Sequence, residues 1–145
     1  MAGVQPLEGE EHLERILEES KAAGDGDVRV INCGAGWCGN CRLLKPKWDA
    51  AGKDAKYAGL RLYKADVSEH EDVGEALEVS GLPTFVFVRG GAVVERYKGS
   101  KWDVIARKLD DIAAHAAAGA ATNGAGGDAG TAAASTAAAA AGSAA

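Results

Sequence analysis

Residues 28–41 read VRVINCGAGWCGNC, and the change of character within them decides the fold. Val28 to Cys33 is a short, β-branched run followed by glycine, which predicts a buried strand. Gly34-Ala35-Gly36 interrupts it. Beyond Trp37 the apolar residues Leu43, Leu44 and Trp48 predict a helix to about Ala55, with Pro46 inside it as a point of kinking. Cys38 and Cys41 fall where strand gives way to helix. Three residues apart, they share one helix face at a separation that a disulfide can bridge. At a helix N-terminus the unpaired N–H groups and the helix dipole favour the Cys38 thiolate.

A thiolate so placed attacks the disulfide of a partner and forms a mixed disulfide. Cys41, behind it, resolves that bond and releases the reduced partner. A structural zinc would need four ligands. Beyond this pair the chain offers only Cys33 and the scattered His12, His70 and His115. Redox chemistry is therefore the better reading of the pair, and no metal or other cofactor is expected. All three cysteines lie between positions 33 and 41, a clustering that points to reactivity rather than stapling. Cys33, inside the apolar run, reads as an ordinary buried strand residue.

Working outward, Leu7, Leu13, Ile16 and Leu17 recur at helical spacing and predict a first helix from Glu8 to Ala22, ended by Gly24-Asp25-Gly26. Leu60 to Val67 predicts a second strand, and Glu69 to Val79 a shorter helix with Ser68 as its N-cap. After Gly81-Leu82-Pro83 come a strand from Thr84 to Val88, a tight turn at Gly90-Gly91 and a partner strand from Ala92 to Tyr97. A last amphipathic helix, Lys101 to Ala117, turns Val104, Ile105, Leu109 and Ile112 inward. The early strands need helical crossovers and run parallel; the late pair is an antiparallel hairpin. The expected class is α/β, a mixed sheet between helices.

The 145 residues divide into a folding part, 1–118, and a tail, 119–145, in which nothing is larger than Thr or Asn. That tail buries too little apolar surface to offset its ordering entropy, so a disordered linker is expected. The net charge of −5 is spread along the chain with no basic patch, which argues against nucleic-acid binding. No window approaches a membrane span. The acidic start, Met1 to Glu10, lacks the basic and apolar regions of a secretory signal. A cytoplasmic location follows as the expectation, with nucleus and cilium equally reducing.

The stretch Val30-Ile31-Asn32, Ala35, Trp37-Cys38-Gly39-Asn40-Cys41, Pro46, Lys64-Ala65-Asp66, Leu82-Pro83-Thr84 and Gly99 together resemble the thioredoxin family, in the same order and across residues 1–118. The resemblance implies the thioredoxin fold and a thiol–disulfide oxidoreductase acting on proteins. It implies that Cys38 and Cys41 are catalytic and that Pro83 is a cis-proline facing them. Gly36, Trp37, Leu82, Pro83 and Gly99 would form a largely apolar partner-docking surface. Trp48 and Trp102 read as structural.

Two departures matter. The family usually carries a buried aspartate where this chain has Asn32, and a proline where it has Asn40. Asn cannot accept the proton of Cys41, and Lys64 loses the buried ion-pair partner the family provides. Gly39 and Asn40, between the cysteines, tune the balance of dithiol and disulfide. The expectation is an active dithiol that resolves mixed disulfides slowly. One reading is a general protein-disulfide reductase recharged by a thioredoxin reductase. The alternative is a thioredoxin-like redox-sensing subunit of a larger assembly, such as an axonemal outer-arm dynein light chain. A redox-dead binding module would require both cysteines to be dispensable, which their spacing disfavours.

Overall fold

A computed structural model describes residues 3–124. Five strands form one mixed sheet in the order β1-β3-β2-β4-β5. They are β1 (Val4–Pro6), β2 (Val28–Gly34), β3 (Leu60–Asp66), β4 (Thr84–Arg89) and β5 (Ala92–Lys98). The helices are α1 (Glu10–Ala23), α2 (Gly39–Gly52), α3 (Glu71–Ala76) and α4 (Trp102–Gly124). β1, β3 and β2 run parallel, whereas β4 is antiparallel to both β2 and β5. This is the thioredoxin fold, with the central strand β2 buried along nearly its whole length.

Side-chain alternation along β2 sorts the core into two layers. Val28 and Val30 join Leu60, Leu62 and Phe87 in a cluster with Leu44 and Trp48 of α2 and Ile105 and Leu109 of α4. Ile31 and Cys33 join Tyr63, Ala65 and Val86 with Leu13 and Ile16 of α1 and Val73 of α3. Trp48 anchors the first layer: its Nε1 donates to the Tyr63 carbonyl at 3.1 Å, and its ring meets Phe85 edge-on at 5.1 Å. Trp102 packs against the same cluster as a partly buried residue. In the second layer Arg29 is buried but paired, donating to Asp27, Glu19 and the Tyr63 hydroxyl. The turn between β4 and β5 has Gly90 at φ 59° and Gly91 at φ 85°, the signature of a tight hairpin that needs glycine. Ser20 of α1 accepts the Gly91 N–H at 2.9 Å and ties the hairpin down.

Several boundaries differ from the sequence reading. Leu7 is not helical: β1 precedes it, its N–H donates to the Lys64 carbonyl at 2.8 Å, and Gly9 at φ 129° turns the chain into α1. A three-residue edge strand is too short to show alternation. Ser68 does not cap α3; its N–H and hydroxyl both go to Asp66, and the helix starts after His70. α2 ends at Gly52, and a separate 3-10 turn, Ala55–Tyr57, begins at Asp54. α4 runs to Gly124, beyond the expected end at Ala117, with Ile105 and Leu109 fully buried. The rest of the Ala/Gly-rich stretch, 125–145, lies outside the described residues. Among the described residues no helix is long and apolar enough to cross a membrane.

Candidate active site at the start of α2

Cys38 is the N-cap of α2, in extended backbone at φ −84° and ψ 113°. Its Sγ accepts the Cys41 N–H at 3.2 Å, so an otherwise unpaired helix donor points straight at the sulfur. Cys38 and Cys41 are joined as a disulfide, with Cα atoms 5.3 Å apart, inside the range such a bond requires. Cys38 is 8% exposed and Cys41 half-buried behind it. Around them Trp37 stands 72% exposed, and Gly39 and Asn40 are exposed at the helix start.

The floor beneath Cys41 comes from the sheet. Asn32 follows Val28 and Val30 on the face of β2 that α2 covers, and Lys64 follows Leu60 and Leu62 on the same face of β3. The parallel register sets Asn32 opposite Lys64. Asn32 is 9% exposed and its Oδ1 has no hydrogen-bond partner, whereas Lys64 is exposed and forms no ion pair among the described residues. Asn32, Gly34, Gly36, Cys41, Trp48 and Lys64 line part of a cavity of about 350 Å³. Gly34 is needed there: a Cβ on it would come within 2.9 Å of the Cys41 Sγ.

On the other side, the Leu82–Pro83 peptide bond is cis. Pro83 precedes Thr84, which pairs with Cys33 on β2, and its carbonyl accepts the Gly99 N–H at 3.0 Å. The Thr84 hydroxyl donates to the Gly81 carbonyl at 2.6 Å and holds the same corner. Trp37, Cys38 and Leu82 line a groove of about 620 Å³ together with Val67 and Val79. Trp37 and Leu82 thus line the same groove as Cys38. Gly36 lies on the Cys41 cavity instead, while Gly39, Asn40, Pro83 and Gly99 line neither space, Pro83 itself being buried.

Sequence reasoning missed Asp66. Hydrogen bonds from the Ser68 hydroxyl, and from the backbone N–H groups of Glu69 and Ser68, outweigh its partial burial and hold its carboxyl below the usual range. The Asp66-x-Ser68 spacing is the only local signal of it, that of an Asx turn. Cys33 is fully buried, and burial pushes its thiol up to about 12, so it is inert at neutral pH.

A disulfide at the N-terminus of a helix, backed by a mixed sheet and bordered by a cis-proline, defines the class: a thiol–disulfide oxidoreductase domain. The thioredoxin family model matches residues 4–111. The chain is 36% identical over 96 residues to an H-type thioredoxin of Fagopyrum esculentum, covering 66% of this chain and 78% of that one. It is 33% identical over 103 residues to thioredoxin H2 of Arabidopsis thaliana, covering 71% of each. The crystal structure of a thioredoxin from Nicotiana alata superposes with a TM-score of 0.66 at 30% identity, over 74% of this chain and 90% of that one. The thioredoxin of Fasciola hepatica gives 0.66 at 28%, over 73% and 96%. The chain belongs to the thioredoxin family.

Proposed function

We propose that this oxidoreductase reduces disulfide-containing proteins with Cys38 as attacking thiolate and Cys41 as resolving thiol. The observation that carries the assignment is the Cys41 N–H directed at the Cys38 Sγ, at the mouth of the docking groove. The Cys38 thiolate attacks one sulfur of the partner's disulfide; an S–S bond forms to Cys38, and the other partner sulfur leaves as thiolate and takes up a proton. Cys41 then loses its proton, attacks the Cys38 Sγ and expels the second partner sulfur. Two electrons have passed to the partner, and the Cys38–Cys41 disulfide remains. A thioredoxin reductase using NADPH returns it to the dithiol.

The partner strand would lie in the groove against Trp37 and Leu82, beside the backbone corner that Pro83 makes and Gly99 ties in place. Gly39 and Asn40, exposed and without side-chain hydrogen bonds of their own, leave the helix start free to adjust between dithiol and disulfide. Asn32 sits where a proton acceptor for Cys41 would stand, yet an amide takes up no proton. Lys64, in register with it, brings no carboxylate either. Release of the Cys41 proton then falls to solvent or to another group lining the cavity, such as Asp49, Asp66, Glu69 or His70, and resolution is slower than with a carboxylate at position 32. Such a cycle suits a reducing compartment such as the cytoplasm. No observation on the described residues favours the assembly-subunit reading over this one.

The test is NADPH-coupled reduction of a protein disulfide in the presence of thioredoxin reductase. Turnover should be lost in both Cys38→Ser and Cys41→Ser. Full activity in either variant would overturn the assignment.

A further inference from the structure

The groove beside Cys38 is apolar along its floor and acidic along one wall. Trp37, Val67, Val79 and Leu82 supply the apolar lining, and Glu71, Glu75 and Glu78 the wall, from α3 and the turn after it. Neither Lys nor Arg lines the groove. Glu71 and Glu75 are exposed and form no ion pair with any described residue. Glu78 is paired only at 3.9 Å, with Arg96, and its side chain is 79% exposed, so its charge stays open to solvent beside the groove. Arg96 is itself engaged, its Nε donating to the Leu77 carbonyl at 2.8 Å. Lys98 packs its aliphatic stem over Gly81, a residue of the groove lining, without lining the groove itself.

Like charges lining one groove repel each other, and a cation brought by a partner relieves that repulsion. We propose that this wall makes the enzyme selective for disulfide-bearing segments with Lys or Arg beside the half-cystine, Glu71, Glu75 and Glu78 being the residues that set the preference. The inference rests on Cys38 being the attacking thiol. It differs from apolar docking in kind, because it acts on encounter and orientation rather than on buried area. Charges of one sign in a cleft raise the association rate of an opposite charge by about 10- to 1,000-fold when several act together. The effect is screened by salt.

Two synthetic peptides with the same internal disulfide, flanked by Lys in one and Glu in the other, provide the test. The pre-reduced full chain and its Glu71→Gln/Glu75→Gln variant are compared on both. Each rate constant is divided by that of the same protein on a small neutral disulfide, bis(2-hydroxyethyl) disulfide. The wild type should favour the Lys peptide by about tenfold at low salt. The preference should collapse in the double variant, and also in about 1 M salt, where the screening length is about 3 Å. Equal rates on the two peptides, with the neutral disulfide reduced normally, would overturn the selectivity and leave Cys38 in its role. A preference undiminished in the double variant would remove it from these glutamates. Failure to reduce even the neutral disulfide would overturn the Cys38 reading along with it.

Discussion

Asn32 and Lys64 stand opposite each other in the parallel register of β2 and β3, on the face that α2 covers, yet Asn32 Oδ1 accepts no hydrogen bond. It lies in the cavity that Cys41 also lines, where the chemistry of resolution calls for a base. The proposed slow resolution rests on this amide, although Asp49, Asp66, Glu69 and His70 line the same cavity.

Asn32→Asp puts a carboxylate into that position. The expected result is roughly tenfold faster decay of a mixed disulfide, less than the about 100-fold or more that a positioned base contributes because solvent already serves. Rapid-quench trapping of the mixed disulfide reads it. An unchanged or slower decay would separate Asn32 from the rate of resolution.

Gly34→Ala brings a methyl group to within 2.9 Å of the Cys41 Sγ and 3.2 Å of its Cβ. The disulfide holds that sulfur in place, whereas a free thiol can turn away. The oxidised form should lose about 1–3 kcal/mol, as overpacked sites do, and the reduced form less. Urea unfolding of both forms measures the difference. Equal losses would mean that the backbone, not Cys41, takes up the strain.

Cys33 gives a pH dependence with a definite sign. Below pH 9.0 its thiol is protonated in the folded and the unfolded chain alike, and it adds no slope. Between 9.0 and about 12 the unfolded chain releases the proton that burial makes the folded chain keep. Stability present below that window is therefore lost through it, by about 1.4 kcal/mol per pH unit. Unfolding of the oxidised protein at pH 9 and about pH 10, compared with Cys33→Ala, isolates this contribution. Parallel curves would show that Cys33 is not shielded as described.

What could be read from the sequence was local. Val28 to Cys33 announces a central strand because both its faces are buried, and Cys38 with Cys41 announces its chemistry because three residues of helix suffice to pair them. The cis-proline corner came only through family resemblance, since an X-Pro bond alone favours trans. β1 stayed hidden because three residues carry no period, so Leu7 was drawn into the helical pattern. The contact of Gly34 with Cys41 and the acidic wall beside Cys38 each join segments that only tertiary folding brings together. From sequence alone, Glu71, Glu75 and Glu78 are no more than the wet side of a helix.

The most direct measurement is the capture of a disulfide-bonded partner by Cys41→Ser, with peptide mass spectrometry to locate the bond. The account predicts a stable covalent adduct on Cys38, absent from Cys38→Ser and released with time in the wild type. An adduct on Cys33, or none at all with a folded variant, would contradict it.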